Sequence, residues 1–177
     1  MLDKNYFELY ELPLSFRVDN VQLKKKFYEL SKRFHPDFYV NESDEKQQEI
    51  LELSTLNNKA YKVLSDPLKR IEYILSLHNL LAEGDKYVLP QDFLMDMMEV
   101  NEVLMEMEFE KDTMKLMDLR RQVDQMEMSL FDELKQNTDK FDLIGKNAES
   151  ILLKIKDIWY RQKYLMRIRE SLNKFQV

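Results

Sequence analysis

The sequence has 177 residues, 44% of them hydrophobic and 34% charged, with two glycines and four prolines, a balance that favours helices over sheets or disorder and suffices for one large domain or two small ones. It contains no cysteine, which excludes a disulfide framework, thiolate catalysis and Cys-based zinc or cluster ligation by the chain itself. The net charge of −6 argues against a general nucleic-acid binder, because phosphate recognition needs a basic face.

The acidity is uneven. Met1 to His78 hold 12 Lys or Arg against 13 Asp or Glu, and the remainder holds 15 against 20. From Asp92 to Asp112 eight acids face the single base Lys111, which marks a local negative surface. No stretch has the unbroken hydrophobicity of a membrane span, and Met1 to Tyr10 carries acids without an apolar run, so the expectation is an unprocessed cytoplasmic protein.

In chain order, aromatic residues and Pro13 lead to Asp19, placed to cap a helix beginning at Asn20 or Val21. Leu23, Phe27, Leu30 and Phe34 recur at helical period and form one apolar stripe. Lys25 and Lys32 fall on the opposite face, flanked by Lys24 and Tyr28, with Arg33 at the end. The helix stops at His35-Pro36-Asp37, since proline lacks the amide hydrogen and disfavours helical geometry in the residue before it. Ser43 is a candidate cap for the next helix, which buries Ile50, Leu53, Leu56, Ala60, Val63 and Leu64. Asp66-Pro67 then reads as a cap with proline at the first helical position.

From Asn79 the chain reads NLLAEGDKYVLP, holding Gly84 and Pro90, so a linker is expected over 79–87 between a unit at 1–78 and one at 88–177. Three long helices are predicted beyond it, over about Gln91–Glu110, Thr113–Gln136 and Ala148–Phe175, with a break at Gly145. The first has a seam at Phe93, Met97, Val100, Leu104 and Met107. The second offers Leu116, Leu119, Val123, Met126 and Leu130, and the third Ile155, Ile158, Leu165 and Leu172. These patterns predict an all-α protein whose C-terminal part is an antiparallel three-helix bundle.

Two stretches carry chemistry. A turn clamped by Pro36 presents His35 and Asp37 as a rigid polar tip, and the lysines beside it form a positive strip suited to an acidic partner. Without that turn, a solvated helix face is the simpler reading of the lysines. On the helix from Gln91, Leu94, Met95, Met98, Glu99, Glu102 and Glu106 lie off the seam within one arc of about 140°. Apolar residues among acids away from the core suit partner binding, and methionine adapts well to such contacts. A wide core edged by ordinary surface glutamates is the competing reading. Tyr164 sits about 100° from Leu165 and is a candidate for the same surface, whereas Trp159 and Tyr160 read as core or rim and His78 as structural. The scarcity of glycine excludes a Walker loop or a dinucleotide fingerprint.

The segment KRFHPDF, between a basic helix and a second helix holding LNNKAYKVLSDPLKR, resembles the J-domain family. The continuation IEYILSLH and the helix QDFLMDMMEVNEVLMEME are similar to the HscB type within it. The resemblance covers nearly the whole chain, is strong to about Glu108 and afterwards rests on length, helix pattern and a Lys-Tyr-Leu element in the last helix. It implies an N-terminal J-domain helical hairpin followed by the bundle, and a co-chaperone rather than an enzyme, with no catalytic residue, metal or cofactor of its own. His35, Pro36 and Asp37, with Lys24, Lys25, Tyr28, Lys32 and Arg33, are implied to bind a DnaK-class (HscA-like) chaperone and stimulate its ATPase. Leu94, Met95, Met98, Glu99, Glu102, Glu106 and Tyr164 are implied to hold an iron–sulfur scaffold protein (IscU-like). Many family members follow the tripeptide with a basic residue where this chain has Phe38, and Asn101 stands where a basic residue is frequent. Eukaryotic members commonly add a targeting sequence and a cysteine-bearing extension, so a bacterial protein is expected. The alternatives are a general J-domain co-chaperone with another client, and an enzyme using His35 and Asp37 as an acid/base pair, which lacks an accompanying nucleophile or cofactor motif.

Overall fold

Asp19 caps its helix as its position suggests: one side-chain oxygen accepts from the amides of Val21 and Gln22 at 2.8 and 3.3 Å. The resulting helix, α2, runs Asn20–Arg33, after a short α1 at Tyr6–Leu9. The structure, a computed structural model, describes residues 4–81, 87–110, 112–144 and 148–175. Helices α3 (Asp44–Leu64), α4 (Pro67–Leu77), α5 (Gln91–Phe109), α6 (Thr113–Ile144) and α7 (Glu149–Leu172) follow, with a 3-10 turn at Pro36–Tyr39 between α2 and α3. Every regular element among the described residues is helical. The chain divides into two compact units, Met1–His78 and Asn79–Val177.

In the first unit α2 packs against α3, and α4 packs on α3. Ser43 accepts from the Lys46 amide at 3.3 Å and Asp66 from those of Leu68 and Lys69, so both caps sit where expected. Leu23, Leu30 and Phe34 from α2 and its end are buried with Ile50, Leu53, Ala60 and Leu64 of α3. Each of the leucine, isoleucine and phenylalanine side chains contributes about 1.5–3 kcal/mol by leaving water. Leu56 and Val63, expected in this core, are only half-buried, and the polar Asn57 lies inside instead. Helix α1 escaped the sequence reading because it is a single turn without apolar periodicity. A reciprocal capping box between Asn5 and Glu8 holds it, and it buries Phe7 and Leu9.

Buried Arg70 satisfies its head group on the backbone, donating from Nε to the Phe16 carbonyl at 3.0 Å and from Nη1 to that of Leu64. Burial lowers its pKa from the ordinary arginine value. His78 ends α4, its amide donating to the Ile74 and Leu75 carbonyls.

In the second unit α6 and α7 form a close pair, and α5 packs on both. Met97, Val100, Leu104 and Met107 of α5 are buried with Leu116, Leu119, Val123 and Leu130 of α6 and Ile158, Leu165, Ile168 and Leu172 of α7. Phe93 and Met126 lie at the margin of this core. Arg161 pairs with Glu133 at 3.0 Å and Asp157 at 2.6 Å, and Arg169 pairs with Glu127 at 2.8 Å. The residue numbers descend on α6 as they ascend on α7, so the two helices run antiparallel.

Helix α6 extends eight residues past the predicted end at Gln136. The apolar pattern fails at Asn137 and Thr138, yet both are buried, because they donate to the carbonyls of Glu133 at 2.8 Å and Lys135 at 3.0 Å. Phe141 restores the seam beyond them. Tyr87, the last residue of the expected linker, stacks on Tyr160 at 4.3 Å and donates to Asp157 at 2.5 Å. Trp159 is buried and Tyr160 half-buried, a core and a rim position as expected. Gly84, Gly145 and Lys111 lie outside the described residues.

Candidate chaperone-docking tip and partner-binding face

Phe34 closes α2, its amide donating to the Leu30 carbonyl at 2.9 Å, while its side chain is buried. His35 then turns to extended backbone, and Pro36 opens the 3-10 turn at its first position. Inside this turn His35 Nδ1 accepts from the Asp37 amide at 3.3 Å, and the His35 carbonyl accepts from the Phe38 amide at 3.1 Å. With Nδ1 accepting, the neutral ring carries its proton on Nε2. The Asp37 carboxylate lies 3.7 Å from the same nitrogen, and the Phe38 ring stands 5.6 Å from the imidazole.

Two further side chains stiffen the tip. Tyr39 donates its hydroxyl proton to the Arg33 carbonyl at 2.9 Å, tying the turn back to the end of α2. Gln47 of α3 donates to the carbonyls of Val40 and Glu42 at 3.2 and 2.9 Å, fastening the other side of the loop. Neither Tyr39 nor Gln47 stood out in the sequence, since hydroxyl and amide side chains that brace a loop leave no periodic signal. The side chains of His35 and Asp37 are nonetheless 52% and 82% exposed. A polar pair fixed in a braced turn and open to solvent suits contact with another molecule more than chemistry in a cleft.

Lys24, Lys25, Tyr28, Lys32 and Arg33 are all exposed along α2. Lys24, Lys25 and Lys32 enter no ion pair among the described residues, whereas Lys26 is spent on Glu11 at 2.5 Å. That hydrogen bond raises the Lys26 pKa above the ordinary lysine range. Among the described residues, no acid neutralises Lys24, Lys25 or Lys32 of the positive strip beside the tip.

On α5 the expected division holds in geometry. The seam is buried, and Leu94, Met95, Met98, Glu99, Glu102 and Glu106 are exposed, Leu94 at 37% marking the edge of the face. Met105 and Phe109 are also exposed and fall within the same arc, about 20° and 60° round from Leu94. Their spacing could have placed them there from sequence. Acids crowd the C-terminal half of α5, where the helix dipole disfavours negative charge. Among them Glu106 is relieved by Lys115 of α6 at 3.0 Å. A charge arrangement that opposes helix stability fits a surface shaped by binding.

Tyr164 is less exposed than the sequence suggests. It is half-buried against the core, with its ring edge-on to Phe93 at 5.9 Å and its hydroxyl accepting from Asn101 Nδ2 at 3.3 Å. Asn101 also donates to the Met97 carbonyl at 2.7 Å. Tyr164 thus supports α5 from α7 and reaches the edge of the acidic face rather than its middle.

Residues 5–73 match the DnaJ domain family and residues 89–173 the family described as HSCB C-terminal oligomerisation domain. A solved structure of chaperone HscB from Vibrio cholerae superposes with a TM-score of 0.63 at 30% identity, covering 96% of this chain and 99% of that one. The chain belongs to the HscB family. Among HscB sequences, the co-chaperone protein HscB homolog of Vibrio cholerae is 40% identical over 101 residues, or 56% of this chain and 59% of the relative. The human iron-sulfur cluster co-chaperone protein HscB is 39% identical over 108 residues, or 60% of this chain and 46% of the relative. The matched stretches thus span less than two thirds of these two HscB relatives.

Proposed function

We propose that this chain is the adaptor of an iron–sulfur assembly system, stimulating ATP hydrolysis by a DnaK-class, HscA-like chaperone and delivering to it an IscU-like scaffold protein. The observation that carries the reading is the braced, exposed His35-Pro36-Asp37 tip at the end of a helix on which Lys24, Lys25 and Lys32 enter no ion pair among the described residues. In this reading the 1–78 unit docks through His35, Pro36, Asp37, Lys24, Lys25, Tyr28, Lys32 and Arg33. The 88–177 unit holds the scaffold through Leu94, Met95, Met98, Glu99, Glu102 and Glu106, with Tyr164 at the edge. Binding both partners raises their effective concentration for each other. The name of the human relative refers to iron–sulfur clusters, and the absence of cysteine from this chain leaves cluster ligation to a partner. The chain has no hydrolytic activity of its own and works in the cytoplasm.

The test combines steady-state ATPase assays with a scaffold titration. The chain alone should release no phosphate, should accelerate turnover by the DnaK-class chaperone of the same cell, and should bind that cell's iron–sulfur scaffold. Stimulation without scaffold binding points instead to a general J-domain co-chaperone with another client. Phosphate release by the chain alone overturns the non-enzymatic assignment.

A further inference from the structure

The chain's oxidisable sulfur is confined almost entirely to its second unit. There is no cysteine, and of the 11 methionines only Met1 precedes Asn79, while Met95, Met97, Met98, Met105 and Met107 gather on α5. Burial divides those five. Met97 and Met107 sit in the seam at 1% and 2% exposure, whereas Met95, Met98 and Met105 are 59–63% exposed and fall within the acidic arc, about 100°, 40° and 20° round from Leu94. The docking tip and the lysine strip of the first unit contain no thioether. Of the two proposed binding surfaces, an agent that attacks exposed methionine therefore alters the acidic face and leaves the tip untouched.

Hydrogen peroxide is such an agent. The sulfur lone pair attacks one peroxide oxygen and the O–O bond breaks; the departing hydroxide takes up the proton of the transferred oxygen and leaves as water. The thioether is oxidised to a sulfoxide and the peroxide is reduced. Positive charge builds on sulfur during the attack, and a carboxylate stands one helical turn from each exposed thioether. Glu99 lies four residues after Met95, and Glu102 lies four after Met98 and three before Met105. Opposite charge at that range favours the attack. The product no longer suits the face. A flexible apolar contact has become a polar acceptor, and the carboxylates of Glu99 and Glu102 beside it have no proton to give. Covered by a partner, an acceptor without a donor weakens binding.

We infer that Met95, Met98 and Met105 are reversible oxidation sites through which peroxide switches off scaffold binding while chaperone stimulation continues. The switch rests on the reading of the acidic face as the scaffold surface. Because Met97 and Met107 are shielded within the seam, the oxidised face keeps its helix and its packing. Each sulfoxide forms as two epimers, so full reversal takes two methionine sulfoxide reductases, one for each epimer, with a dithiol that becomes a disulfide as the oxygen leaves in water.

In the test the full chain is treated with hydrogen peroxide, freed of it with catalase, and only then mixed with partners, so that no other protein meets the oxidant. Peptide mass mapping should find one added oxygen on Met95, Met98 and Met105 well before Met97 or Met107. Affinity for the iron–sulfur scaffold of the same cell should fall about tenfold or more, with helix content and stimulation of the DnaK-class ATPase unchanged, and the two reductases should restore it. Met114, Met117, Met128 and Met166 are exposed as well, so Met114→Leu, Met117→Leu, Met128→Leu and Met166→Leu combined should still lose affinity on oxidation. Met95→Leu, Met98→Leu and Met105→Leu combined, compared with itself before and after treatment, should be insensitive to peroxide whatever its starting affinity. A parent that binds scaffold equally well before and after oxidation at these three residues overturns the switch and leaves the reading of the face intact. An unoxidised parent that binds no scaffold overturns that reading and the switch with it. Loss of helix in the oxidised chain, or a loss of affinity that only the α6 and α7 variant escapes, also overturns the switch.

Discussion

The hydroxyl of Tyr10 donates to the side-chain oxygen of Asn57 at 2.7 Å, joining residues 47 positions apart inside the first unit. The Asn57 amide donates in turn to the Phe27 carbonyl at 3.2 Å and to Ser31 Oγ at 2.9 Å. One buried side chain thereby ties the end of α1 to both long helices behind the tip. Removing one partner of a buried hydrogen bond costs about 1–3 kcal/mol. Tyr10→Phe should therefore lower the stability of this unit by that amount in urea unfolding. Tyr10→Phe combined with Asn57→Leu should cost less than the sum of the single changes, because the two residues share one network.

The same burial gives an alkaline signature. Desolvation raises the Tyr10 pKa above its ordinary value of 10.0, with the nearby Tyr61 adding to it. A raised folded-state pKa means that the stabilisation is complete below about pH 10 and declines as pH rises above it, since only the unfolded chain then releases the proton. The loss should approach about 1.4 kcal/mol per pH unit for this one group. Urea midpoints followed from pH 8 upward should fall less steeply for Tyr10→Phe than for the parent. Parallel slopes would assign the alkaline loss to other groups, such as Tyr73, whose pKa burial also raises.

At the tip, His35→Gln should abolish stimulation of the DnaK-class ATPase while leaving stability within about 0.5 kcal/mol, the usual range for an exposed position. Gln47→Ala reaches the same loop indirectly, by freeing the carbonyls of Val40 and Glu42. It should reduce stimulation without eliminating it. Full stimulation by His35→Gln at matched concentration rules out a docking role for the turn.

The lysine strip makes a separate claim. Attraction between exposed charges is screened over about 8–10 Å at ordinary ionic strength, so chaperone stimulation should weaken as salt is added. Lys25→Ala with Lys32→Ala should lower stimulation at low salt and flatten the dependence. A double variant whose salt response matches the parent's shows that these lysines are only solvated.

The long helices were legible because their apolar residues recur at helical period over several turns, from Leu23 to Phe34 and from Met97 to Met107. Caps at Asp19, Ser43 and Asp66 fixed three of their starts. Legibility failed wherever a polar group satisfies itself inside the fold. Asn57 and Arg70 sit in the core through partners as far as 47 and 54 positions away. Asn137 and Thr138 hide the last turns of α6 by bonding backward along their own helix. Tyr164 was assigned to an exposed surface because an angle on one helix says nothing of Asn101 and Phe93 on the neighbour that covers it.

The acidic face of α5 separates binding from stability most cleanly. Met95 and Met98 are exposed, and Leu94 stands at the edge of the exposed class, while Leu104 on the opposite side is buried. Truncating Met95 and Met98 to alanine removes contacts mainly with water, so stability should change by no more than about 0.5 kcal/mol for each. Leu94→Ala should cost somewhat more, because part of that side chain already rests on the bundle. Leu104→Ala leaves a hole among Val100, Leu119 and their neighbours and should cost about 2–5 kcal/mol. Scaffold affinity should follow the reverse order, since apolar anchors ringed by acids dominate small interfaces. The triple Leu94, Met95 and Met98 alanine variant should lose most of its affinity for an IscU-like scaffold yet stimulate the DnaK-class ATPase as the parent does, because the tip lies in the other unit. Thermal melts and scaffold titrations on the triple variant and Leu104→Ala distinguish the readings. If the triple variant melts as early as Leu104→Ala, the face is core. If it melts like the parent but binds scaffold undiminished, the scaffold docks elsewhere.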